Sequence, residues 1–86
     1  MTPEEILSEA ARLVEKGWCQ GRLRSGLGVC AVGAILDAGR SDNGLNVAVS
    51  ALVQEIGTPD IGRWNDTPGR TKEEVATALR NAKRWL

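Results

Sequence analysis

Eighty-six residues carrying 11 basic and 11 acidic side chains suffice for one small domain, with no net field to draw it onto a phosphate backbone or an anionic membrane. The chain contains no histidine, tyrosine or phenylalanine, which removes the commonest general base, the commonest metal ligand and the phenolic acid from its chemistry. No stretch approaches the roughly 20 apolar residues that cross a bilayer, and the acidic, amphipathic start lacks the basic region of a leader, so a cytoplasmic protein with reduced thiols is expected.

Thr2-Pro3-Glu4-Glu5 has the form of a capping box with proline in the first turn, and Ile6, Ala10, Leu13 and Val14 follow on one face. A helix is expected over residues 3-16, with Gly17 as a left-handed cap. Residues 18-28, rich in glycine, read as an irregular or partly extended connection. The apolar run over 29-38 is expected to be a central helix touched by several neighbours, with a buried strand as the competing reading and Gly39 as its stop.

Ser41, Asp42 and Asn43 are each competent N-caps for a third helix over 43-56, whose Leu45, Val49, Leu52, Val53 and Ile56 form a stripe closed by Gly57 and Pro59. The stretch around Asp60 to Asp66 suits a single helical turn. Thr71-Lys72-Glu73-Glu74 repeats the capping box and opens a last helix over 72-85, with Val75, Ala78, Leu79, Ala82 and then Trp85 or Leu86 on its apolar face. Arg80, Lys83 and Arg84 there complement the helix dipole. The fold class expected is therefore all-α: a compact single domain of about four short helices, each tryptophan (Trp18, Trp64, Trp85) anchoring a junction.

Chemistry is sparse. Two cysteines without a histidine leave a zinc site incomplete, and no glycine pattern matches a dinucleotide or phosphate loop, so neither metal nor cofactor is expected. No carboxylates are spaced as an acid and base pair, and no catalytic residue is assigned. Cys19 has Arg22 and Arg24 nearby in sequence, which could lower its thiol pKa, while Cys30 reads as core. Asn65, Asp66, Pro68 and Gly69 are turn formers, with the Asn and Asp side chains expected on the turn's own backbone. The same residue types also suit a recognition patch, since Trp and Arg dominate interface hot spots.

Three blocks carry a likeness: Gly17-Trp18-Cys19-Gln20-Gly21, Cys30-Ala31-Val32-Gly33-Ala34-Ile35, and Trp64-Asn65-Asp66-Thr67-Pro68-Gly69-Arg70-Thr71 followed by Glu73-Glu74-Val75. On these the chain resembles a family of small uncharacterised proteins from actinobacteria and their phages. The resemblance implies such an origin and brings no activity, cofactor or catalytic residue with it.

The expectation is a small non-enzymatic interaction protein, phage-encoded and acting on a host protein. Its binding residues would be Trp18, Gln20, Trp64, Asn65, Asp66 and Arg70, brought together where the first and third blocks meet. An alternative is a ligand binder or thiol enzyme using Cys19 with Gln20 and Asp66, and another is weak nucleic-acid binding through the last helix. No membrane partner is expected, and self-association stays open.

Overall fold

The computed structural model describes residues 1–26 and 28–86. Leu27, which falls within the predicted glycine-rich connection, lies outside the described residues. Among them the order is α1 (Pro3–Lys16), β1 (Arg24–Ser25), β2 (Gly28–Val29), α2 (Ala31–Gly39), α3 (Leu45–Ile56), α4 (Ile61–Asn65), α5 (Lys72–Asn81) and a 3₁₀ turn (Ala82–Trp85). The described residues are mainly helical as expected; the single turn expected around Asp60 to Asp66 forms as α4, and the partly extended connection carries a two-stranded antiparallel sheet.

Both capping boxes form: Thr2 accepts from Glu5 N while Glu5 accepts from Thr2 N, and Thr71 and Glu74 do the same. Each box needs only residues three apart in one chain segment, so local sequence suffices to place it. Gly57 takes φ 77° at the end of α3, a left-handed conformation that glycine adopts without a Cβ penalty. Gly17, in contrast, is extended (φ −178°) and not left-handed, because the chain leaves α1 directly into a pairing with β2.

α2 is touched by several neighbours as expected, namely α1, α3, α4 and β2, but the most central helix is α1. It packs on both α2 and α5 and touches α3 as well, so its apolar face is wider than the predicted stripe and buries Ile6, Leu7, Ala10, Ala11 and Val14 completely. α2 buries Ala31, Gly33, Ala34, Ile35, Ala38 and Gly39 and leaves Leu36 and Asp37 exposed. It begins at Ala31 rather than 29, because Val29 belongs to β2 and Cys30 is the N-cap, its Sγ accepting from Gly33 N at 3.3 Å. A Cβ on Gly33 would meet Leu23 O at 2.6 Å, so the glycine lets the hairpin backbone lie directly on α2.

α3 starts at Leu45, with Gly44 at the N-cap and no side-chain cap. Asp42 instead holds the N-terminal ammonium at 3.3 Å, and Ser41 adopts positive φ. The buried face of α3 is Ala48, Ala51 and Leu52, with Leu45, Val49, Val53 and Ile56 half-buried along its flanks. The small alanines allow close approach, and the larger residues close over the sides. The last helix does not run to 85: α5 stops at Asn81 and tightens into the 3₁₀ turn, leaving Trp85 and Leu86 about half exposed instead of on the apolar face.

Candidate functional site

α4 is a single short stretch capped by Asp60, whose Oδ1 accepts from Arg63 N at 3.0 Å. Its last two residues point in different directions. Asn65 is fully buried and Trp64 is half-buried, and the two side chains build unlike surroundings.

Asn65 Oδ1 accepts from Trp18 Nε1 at 2.7 Å and from Ala31 N at 3.0 Å, while Nδ2 donates to Cys19 O at 3.1 Å and to Asp66 Oδ1 at 2.9 Å. Both lone-pair positions and both donors are therefore engaged. Ala31 N is one of the N–H groups that the start of a helix leaves without an intrahelical partner, so Asn65 caps α2 from a distance, beside Cys30. Asp66 Oδ1 also accepts from Gly21 N at 2.9 Å, and Gln20 Nε2 donates to Asn65 O and Thr67 O at 3.0 and 3.2 Å. The Gly21 amide, followed by the Asn65 amide, holds the Asp66 carboxyl below its ordinary pKa.

The first and third sequence blocks thus meet in space, but not in the manner expected of a turn. The Asn65 and Asp66 side chains reach across to the segment after α1 and to the start of α2, instead of closing on the backbone of their own turn. Trp18, Gln20, Asn65 and Asp66 form one hydrogen-bonded network, and among the described residues no buried side-chain polar atom lacks a partner.

Trp64 and Arg70 form a separate pair. The Arg70 guanidinium carbon sits 4.3 Å from the Trp64 ring centre, its Nε donates to Trp64 O at 3.0 Å, and its Nη1 lies 3.4 Å from Glu74 Oε2. This stack of a cation on an indole borders an open groove of about 360 Å³ that also involves Glu55, Glu73, Thr77 and Asn81. Glu55 Oε1 accepts from Trp85 Nε1 at 2.9 Å and lies 3.2 Å from Arg84 Nε. Sequence reasoning did not include Glu55, Glu73 and Glu74 in a site. The capping box marked Glu74, but no spacing links Glu55 on α3 to Glu73 on α5.

The remaining candidates have defined environments. Burial, then the neighbouring Cys30 and Asp66, pushes the Cys19 thiol up despite Arg22. Its Sγ donates to Arg22 O at 3.4 Å. Arg24 does not approach it, forming an ion pair with Asp37. In the last helix Arg80 makes a two-pronged contact with Glu15 at 2.6 and 2.8 Å, so together with Arg84 its charge is met within the chain. Among the described residues no helix is long and apolar enough to cross a membrane.

Neither a curated protein nor a solved structure matches this chain. The model of a family of unknown function, DUF6197, matches residues 1–84, and the chain belongs to that family.

Proposed function

We propose that this protein is a small non-enzymatic interaction module that takes a basic side chain of a protein partner into the groove between α3 and α5. The observation that carries this reading is the combination in that groove of the half-buried Trp64 with three carboxylates, Glu55, Glu73 and Glu74. The part of the indole that Arg70 leaves uncovered supplies apolar area for the methylene stem of a lysine or arginine, and the carboxylates meet its charged end. Glu74 is engaged by its capping box and Arg70, and Glu55 by Trp85 and Arg84. Glu73 has no ion pair among the described residues, which makes it the natural contact for an incoming cation. The actinobacterial or phage origin implied by the sequence blocks makes a host protein the candidate partner.

The test is photo-crosslinking in actinobacterial lysate from a probe residue placed at Thr77, in the groove, and from another at Gln20, beside the Asn65 network. A partner crosslinked from Thr77, absent from Gln20 and lost on Glu73→Lys, supports the module and its groove. Capture unaffected by Glu73→Lys moves the interface elsewhere, and no specific capture from either position removes the interaction reading.

A further inference from the structure

The segment leaving α1 runs beside β2 in parallel register. Val29 N donates to Gly17 O at 2.9 Å, Cys19 N donates to Val29 O at 3.1 Å, and Trp18 pairs with Val29 between them. One step beyond that pair, on each segment, stand the two cysteines of the chain. Side chains alternate along extended backbone, so Cys19 and Cys30 leave their segments on one face, opposite Trp18 and Val29. Gly28 shares that face, and a Cβ on it would meet the Cys19 Cβ at 3.2 Å. Leu23 O joins the two residues: Cys30 N donates to it at 3.0 Å and Cys19 Sγ lies 3.9 Å from it.

Neighbouring extended segments lie about 4.8 Å apart, within the roughly 4.4 to 6.8 Å between Cα atoms that a disulfide spans. Both thiols are free, Cys19 half-buried and Cys30 buried. Neither lines the groove assigned to a partner. We propose that Cys19 and Cys30 are a site of reversible oxidation, closing an intramolecular disulfide by exchange with a small-molecule disulfide.

The exchange balances in two steps. The more accessible Cys19, as thiolate, attacks one sulfur of the added disulfide, breaks its S–S bond and releases a thiolate that takes up the proton Cys19 gave. Cys30, as thiolate, then attacks the Cys19 sulfur and displaces the second small thiolate, which takes up the Cys30 proton. Two hydrogens leave the chain, and one added disulfide is reduced to two thiols. The new bond joins the segment after α1 to the start of α2, the same two segments that Asn65 holds by hydrogen bonds.

The full chain is equilibrated in mixtures of reduced and oxidised glutathione, folded and in urea, then quenched with acid, alkylated and weighed intact. The expected product is a monomer lacking two hydrogens, without bound glutathione. The effective concentration of one thiol at the other should be at least ~10-fold higher in the folded than in the unfolded chain, as expected of thiols held at bonding distance. An effective concentration no higher than that of the unfolded chain overturns the proposal. So does retention of glutathione on Cys19, or a disulfide-linked dimer, as the main oxidised product. The outcome is independent of the groove, because the partner reading rests on Trp64 and the carboxylates.

Discussion

Trp64 and Asn65 are adjacent in sequence, and the regions they build behave differently. Around Asn65 every hydrogen-bonding position of the amide is engaged, and besides the adjacent Asp66 the partners come from two distant segments: Trp18 and Cys19 after α1, and Ala31 at the start of α2. Around Trp64 the indole is only half covered and faces an open groove with carboxylates on its sides. A closed polar network fixes the relative positions of elements, because breaking one partner leaves the others buried and unsatisfied. The contacts around Trp64 are made at the surface instead: Arg70 stacks on the indole, and Glu55 meets Trp85 and Arg84. Trp64 and Asn65 therefore lie in two unlike environments, one residue apart.

The strongest way to break this contrast is Asn65→Ala. It leaves Trp18 Nε1, Ala31 N and Cys19 O without their partner, and the loss expected is about 3 to 5 kcal/mol of unfolding free energy in urea. Gly33→Ala comes next. The added Cβ meets a backbone carbonyl, which cannot swing aside as a side-chain end would, so the hairpin must move off α2 at a cost of about 1 to 3 kcal/mol, against a gain of about 1 kcal/mol from helix propensity.

Asp66 provides a test by pH. Its carboxyl pKa is lowered in the folded chain by the Gly21 amide first and the Asn65 amide second. Its contribution is therefore present above the ordinary carboxylate range, near pH 4, and is lost as pH falls through the lowered folded value. Asp66→Asn should give a shallower loss of stability on acidification than the native chain, measured by urea midpoints at successive pH values. The smallest effect on stability is expected from Glu73→Lys, about 0.5 to 1 kcal/mol from reversing a first-turn charge against the helix dipole, alongside complete loss of partner capture.

Where the chain's instructions are local, the sequence could be read. The capping boxes at Thr2 and Thr71, the left-handed Gly57 and the turn at α4 all depend on residues a few positions apart. Where they depend on distant partners, it could not. The Trp18 to Asn65 bond spans 47 positions, and nothing in the spacing of Asn65 and Asp66 says that they reach across the fold instead of closing their own turn. The start of α2 moved from 29 to 31 because Val29 pairs with the segment after α1, a tertiary demand on a sequence that otherwise suits a helix. The buried face of α3 shifted to Ala48 and Ala51 for a similar reason, since alanines permit closer approach than the valines beside them. Trp18, Gln20, Asn65 and Asp66 do come together as the sequence blocks suggested, through hydrogen bonds across the fold, whereas Glu55 and Glu73 join Trp64 only through the packing of α3 against α5.

The contrast between the two sides of α4 is tested most directly by hydrogen exchange of the three tryptophan indoles, followed by nitrogen-15 spectra of the native chain. The Trp18 indole, bonded to a fully buried amide, should exchange at least ~100-fold more slowly than those of Trp64 and Trp85, because it opens only when the fold does. A Trp18 indole that exchanges as fast as Trp85 would contradict the account, since the Asn65 network would then not be the closed clasp that its geometry describes.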